Sequence, residues 1–216
     1  MFLPYKLDLP VENSPIANIS IVVVCFFMYA LPPGLLSLDT ARDLMVLDSW
    51  NLVGVFGHMF LHADFVHLAG NMYLLWIFGN TICSKITGYA FLPLYLFFGV
   101  VAAACHNLID GRPAVGASGA IFGVIGFYMA LYPKNKISCF WYLYARAGTF
   151  EISAYLLIGF WVLQDIFGVF GPTSPIAHVA HLSGFLVGLV AGYWLLITGR
   201  IAMYDYDLQT LPDILQ

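Results

Sequence analysis

Residues Gly116-Ala117-Ser118-Gly119-Ala120-Ile121-Phe122-Gly123 read GASGAIFG and set one hydroxyl between glycines at the head of an unbroken apolar run to Tyr132. A polar turn, Asp110-Gly111-Arg112-Pro113, comes just before. Apolar membrane helices use Ser and Gly to let neighbours approach, so these eight residues alone support packing and chemistry equally. The length of the run is more telling. From Ser118 to Tyr132 it makes about 22 Å of helix, against a hydrocarbon core of ~30 Å. A helix this short begins roughly 8 Å below the surface. The irregular backbone of residues 113–117 must then be buried by protein or line a water-filled cavity.

The membrane itself follows from composition. The chain of 216 residues is 61% hydrophobic and 9% charged, with a mean hydropathy of +0.86. A water-soluble surface does not tolerate that balance, so an integral membrane protein is predicted. A formal net charge of −4 and eight scattered Lys and Arg leave no basic stripe, which excludes nucleic acid as an expected partner. Cys25, Cys83, Cys105 and Cys139 lack CxxC spacing and read as small buried hydrophobes. The N-terminal stretch MFLPYKLDLPVEN carries acids and prolines and no small-residue cleavage pattern, so no removable signal peptide is expected.

Outward from the serine, the chain divides into six apolar segments, predicted as helices over residues 15–31, 64–83, 89–107, 118–132, 151–170 and 176–198. Ser14-Pro15 starts the first and Pro32-Pro33-Gly34 stops it. Asp64 is placed to cap the second, and Gly171-Pro172-Thr173-Ser174-Pro175 is a tight turn before the sixth. Between the first two lies a long mixed loop. Asp39, Arg42, Asp43 and Asp48 mark solvent there, while Leu35, Leu36, Trp50 and Phe56 keep it in the interface. Lys134, Lys136 and Arg146 flank a short aromatic connection before the fifth segment. The expected fold is an all-α polytopic membrane protein, one membrane domain over residues 1–216, with a six-helix bundle and a short central fourth helix. Lys6, Lys85, Lys134, Lys136, Arg146 and Arg200 fall on one side and only Arg42 and Arg112 on the other. The positive-inside rule then puts both termini in the cytoplasm.

Alternating spans make the second, fourth and sixth helices parallel, with their N-terminal ends on the external side. Counted at ~1.5 Å per residue, His181 lies ~7.5 Å into the sixth helix, and His67 and Asn71 ~5 and ~10 Å into the second. Those depths match that of Ser118. Ionisable groups at such depth are costly and mark a cavity or a bundle interior. Gly119, Gly123 and Gly126 on the fourth helix and Gly184, Gly188 and Gly192 on the sixth form small-residue ridges, which would bring Ser118 beside His181 if they face each other. A serine next to a histidine supplies a nucleophile and a general base. No carboxylate in these three helices is placed to orient His181, so a dyad is expected, with Asp165 and Glu151 of the fifth helix snorkelling or solvated. The free backbone N–H of Ser118, together with His67 and Asn71 on one helix face, offers donors for an oxyanion.

Three stretches, HMFLHADFVHLAGN (His58–Asn71), GASG (Gly116–Gly119) and AHLSGFLVG (Ala180–Gly188), together resemble the rhomboid family of intramembrane serine proteases. The resemblance spans all six helices. It implies Ser118 as nucleophile, His181 as base, and His67, Asn71 and the Ser118 backbone as the oxyanion hole. His62 matches a histidine that supports the first loop. It further implies single-span membrane-protein substrates cut within the lipid bilayer on the external side, and no cofactor. The family's aromatic four residues after the serine, commonly Tyr, is here Phe122, which can stack but cannot hydrogen-bond. The Trp-Arg pair of many bacterial members is absent, and Val53-Gly54 stands at its place.

Two other readings stay open on the residues. A catalytically silent relative would use the fold to bind or escort membrane proteins. A transporter or metal carrier would use the His58/His62 and His178/His181 pairs, although the sequence shows no HExxH and no Asp or Glu that completes a ligand set. His178 alone reads as an interfacial or loop-facing histidine, and Asn71 could be interhelical glue.

Overall fold

The computed structural model describes residues 2–10, 12–32, 37–144, 146–172, 174–204 and 209–215. At its centre stands the helix that begins at the glycine-flanked serine, α7 (Ser118–Leu131). Every residue from Gly119 to Leu131 except Met129 is buried, as expected of a helix apolar all round. Around it are α1 (Ile16–Ala30), α4 (Phe65–Leu74) continuing into α5 (Asn80–Ile86), α6 (Gly88–Ile109), α8 (Ala154–Phe170) and α9 (His178–Ile197). Two short helices, α2 (Ser37–Met45) and α3 (Leu52–Gly57), occupy the first loop, and α10 (Leu211–Leu215) lies near the C-terminus.

Each predicted apolar segment contains a helix, but the lengths differ. Among the described residues, α6 and α9 are long and apolar enough to cross a membrane. Leu52–Phe60 with Phe65–Ile86, bent by 84°, make at most a third such span, and α1, α7 and α8 are shorter apolar helices. The second segment runs past residue 83 to Ile86 through a π turn over Leu75–Gly79. Asn18 of α1 explains the turn, because its Nδ2 donates to the Leu75 carbonyl at 3.0 Å and to Asn80 Oδ1 at 2.8 Å. Asp64 caps α4 as the sequence suggests, its carboxylate accepting from the His67 N–H at 2.8 Å.

The all-α expectation is corrected by a three-stranded antiparallel sheet, β1 (Phe2–Leu7), β2 (Lys136–Leu143) and β3 (Arg146–Ser153), in the order β1-β2-β3. β2 pairs with β3 from Lys136↔Ser153 to Leu143↔Arg146, and with β1 from Phe2↔Trp141 to Leu7↔Ile137. The aromatic connection is thus a hairpin of β-branched and aromatic residues, with Ile137 and Cys139 buried on one face. Glu151 belongs to β3, so the fifth helix starts at Ala154 and not at residue 151.

Pro33, Gly34, Leu35, Leu36 and Thr173 lie outside the described residues, as does the side chain of Asp39. The rest of the first loop is stitched to the segment before Ser118: Leu47 and Ala114 exchange both backbone hydrogen bonds at 3.0 Å. Trp50 and Phe56 are exposed while Leu47 and Val55 pack with Ala103 of α6. That arrangement leaves an apolar outer face on the loop and fixes its inner one.

Candidate active site

The packing of α7 against α9 brings the candidate groups together. A β-carbon on Gly184 would fall on the carbonyl oxygen of Gly119, and one on Gly188 on that of Gly123, so the two backbones touch along the predicted glycine ridges. Ser118 is the first residue of α7 and His181 the fourth of α9, so both stand at the ends where the helices meet. Phe122, one turn after Ser118 on the same face, lies flat against His181, with ring centroids 4.3 Å apart and planes 6° from parallel. The His181 ring therefore sits over the α7 face that carries Ser118.

The opposite wall comes from α4. Gly116 has φ +125°, a conformation that only glycine adopts without strain, and a side chain there would also come within 2.7 Å of the His67 ring and 3.5 Å of Asn71 Nδ2. His67 and Asn71 thus lie against the backbone two residues before Ser118. The Gly116 N–H donates to the His58 carbonyl at 2.9 Å, and the His58 Nδ1 pairs with the Gly54 carbonyl at 2.9 Å, which fixes this turn on the first loop. His62 meets His67 edge to face, with centroids 5.2 Å apart.

Asn71 Nδ2 is buried and has no hydrogen-bond partner among the described residues. Donors in that condition are rare in folded proteins and ask for an explanation. Ser118 Oγ makes no hydrogen bond among the described residues. Catalytic hydrogen bonds are often long in unliganded enzymes and shorten in the substrate complex, so this geometry is compatible with a nucleophile and base that close on substrate.

Two expectations about α8 and α9 are corrected. Asp165 is neither solvated nor snorkelling: its side chain is only 8% exposed and lies against both histidines of α9. His178 Nδ1 is 2.6 Å from Asp165 Oδ1, and His181 Nδ1 is 3.1 and 3.2 Å from the two carboxylate oxygens. His178 is partly buried and paired with this carboxylate, and a carboxylate does reach His181. The sequence missed both because period alone does not say which residue of α8 faces α9. The intramembrane carboxylate was itself the available signal, since a charge in an apolar helix rarely stands without a partner.

The same three residues place candidate metal-ligand atoms within 4.8 Å of one another, so an acidic residue does join the His178/His181 pair. Their 2.6 and 3.1 Å separations are hydrogen-bond distances, shorter than the ~3.3 Å edge of a tetrahedral zinc shell with ~2.0 Å bonds. A cavity of about 370 Å³, lined by Asp110, Arg112, Gly168, Ser174 and His178 among others, borders this cluster.

Comparison with known proteins agrees with the motifs. Residues 49–198 match the Rhomboid domain. The chain is 26% identical over 193 residues to Rhomboid protein 1, mitochondrial, of Saccharomyces cerevisiae, covering 85% of this chain and 54% of that protein. It is 32% identical over 165 residues to Rhomboid-like protein 11, chloroplastic, of Arabidopsis thaliana, covering 69% and 54%. With Rhomboid-like protease 2 of Toxoplasma gondii it shares 26% identity over 212 residues, covering 90% and 70%. The chain spans about half the length of the first two of these relatives. Its apolar helices and this kinship make it an integral membrane protein. Matched by the domain model over most of its length, the chain belongs to the rhomboid family.

Proposed function

We propose that this chain is an intramembrane serine endopeptidase that hydrolyses a peptide bond in or near the transmembrane segment of single-span membrane proteins. The family holds both proteases and inactive relatives, so the reading rests on this chain's own site. One observation carries it: the His181 ring stacked on Phe122, over the helix face that begins with Ser118. A purely structural serine at a helix junction does not call for a histidine held flat one turn away.

In this reading Ser118 Oγ attacks the scissile carbonyl carbon while His181 Nε2 takes the hydroxyl proton. The developing oxyanion meets the Ser118 backbone N–H, which has no intrahelical partner at the first position of α7, and the uncommitted Nδ2 of Asn71. His67 completes the donor set from the same face of α4. His181 then returns the proton to the leaving amine, and water, activated by the same base, hydrolyses the acyl-ester. His62, Gly116, Gly119, Gly184 and Gly188 support this geometry by packing. No cofactor takes part in this scheme.

The substrate backbone must be exposed for attack, so weak helix formers such as Gly and Pro near the cut favour cleavage. The topology that goes with the reading is one membrane domain of six spans, termini in the cytoplasm and the pocket opening externally. The test is fluorophosphonate labelling in detergent, paired with mass-spectrometric mapping of cuts in a model transmembrane substrate. Wild-type protein labels at Ser118 and cuts. A Ser118→Ala variant that still cuts, or a His181→Ala variant that labels as fast as wild type, overturns the proposal.

A further inference from the structure

We propose that Asp165, clamped by His178, is a positioning residue for His181. The inference rests on the serine-protease reading above and adds to it a residue pair from outside the three sequence motifs.

Asp165 is the one charged residue of α8, in the sequence AYLLIGFWVLQDIFGVF. Its neighbours Ile166, Phe167 and Phe170 are exposed, whereas Asp165 itself turns inward and is buried. A carboxylate withdrawn from water costs several kcal/mol unless donors compensate for it. Here the donors are two imidazoles of α9 one helical turn apart, His178 at 2.6 Å and His181 at 3.1 and 3.2 Å. A carboxylate only accepts, so each ring presents its Nδ1–H to Asp165. The lone pair of His181 then sits on Nε2, the nitrogen a general base must turn toward the nucleophile. Phe122 fixes the plane of that ring, and Asp165 fixes its rotation within the plane.

His178 has its own seat. A β-carbon on Gly168, one turn beyond Asp165 on α8, would collide with the His178 ring, lying 2.6 Å from Cδ2. The ring therefore packs directly on the α8 backbone and holds Oδ1, the oxygen that His181 also approaches. Without it, Asp165 would keep a single imidazole donor and could swing out of line. His178 and Asp165 thus act on the base through one shared oxygen.

The experiment uses the full chain in detergent micelles with a model transmembrane substrate. It measures kcat, KM, the rate of Ser118 labelling by a fluorophosphonate, and the thermal midpoint for wild type, Asp165→Asn, Asp165→Glu and His178→Phe. In a serine-protease triad, replacing the orienting carboxylate by its amide lowers kcat by about 10⁴-fold through the wrong tautomer. Asp165→Asn is expected to lose about 10²- to 10⁴-fold in kcat and labelling rate, with KM within about twofold. Asp165→Glu recovers at least tenfold of that loss, and His178→Phe loses about tenfold. A merely structural role would lower the thermal midpoint and leave kcat per folded molecule unchanged, and that result overturns the proposal. Should Asp165→Asn fail to fold, Gly168→Ala displaces His178 alone: a kcat loss at constant KM supports the proposal, and wild-type kcat overturns it. Wild type labelled at Ser118, with Asp165→Asn labelled as fast, overturns the positioning role and leaves the protease reading standing. A wild type that neither labels nor cuts overturns both.

Discussion

Phe122 and His181 lie face to face, ring centroids 4.3 Å apart and planes 6° from parallel. The contact holds the proposed base over α7 by ring stacking. Ring pairs of this kind are worth about 0.5–1.5 kcal/mol beyond their buried area, which corresponds to roughly two- to twelvefold in a rate that depends on ring placement. Phe122→Ala is therefore expected to lower kcat/KM by about tenfold, while Phe122→Tyr stays within about threefold of wild type. Steady-state kinetics on a transmembrane substrate checks both, and equal activity for the Ala and Tyr variants would show that the stack does not position the base.

The α7–α9 seam makes a prediction about stability. A methyl group on Gly188 would land on the Gly123 carbonyl oxygen, and backbone has no rotamer by which to yield. Overpacking of this kind costs typically about 1–3 kcal/mol. Gly188→Ala should lower the thermal midpoint in detergent and reduce labelling of Ser118 with it. Gly159→Ala on α8, where nothing lies within 4 Å of the added carbon, serves as the control and should leave both within error. A Gly188→Ala protein as stable as that control would remove the seam as the element that joins serine to histidine.

Much of this was legible because it is local. A helix apolar on every side has only one place to go, and GASGAIFG declared both the burial of α7 and the close approach of α9 through its glycines. The Asp64 cap was equally readable, since an N-cap and the N–H it accepts are three residues apart. The sheet was only partly so: β1 is recruited across most of the chain, Phe2 pairing with Trp141, whereas the aromatic run with Ile137 and Cys139 turned inward was a local trace of the β2–β3 hairpin. Asp165 was lost for the same reason: its partners lie on another helix, and helical period fixes faces only relative to their own axis.

Arg112 straps the turn before Ser118 to the turn before α9. Its guanidinium holds both Asp110 oxygens, at 2.5 and 2.8 Å, and donates to the Ser174 carbonyl at 2.9 Å. That hydrogen-bonded guanidinium keeps the Asp110 carboxyl below the usual carboxylate range. A lowered carboxyl stabilises the fold above its unfolded pKa of ~3.9, and the contribution disappears as pH falls through the lower folded value. Exposed ion pairs contribute little, so Arg112→Ala should leave kcat/KM at neutral pH within about fivefold of wild type. The gap in thermal midpoint between wild type and this variant should be constant from pH 7 to 5 and narrow only below about pH 4. A gap that changes between pH 7 and 5 would assign the effect to another group.

Asn71 separates stability from function most sharply. Its Nδ2 is buried without a partner among the described residues, so the fold gains no protein hydrogen bond from that donor. The group lies beside Gly116, two residues from Ser118, where the proposed oxyanion forms. Asn71→Ala should therefore leave the thermal midpoint unchanged or raise it. It should also lower kcat by about 10²–10³-fold, the usual cost of one oxyanion donor, at nearly constant KM. If Asn71 were instead glue between helices, the same substitution would lower the midpoint and affect kcat only through the fraction folded. Measuring both quantities on one preparation decides between the two roles, because they predict opposite patterns.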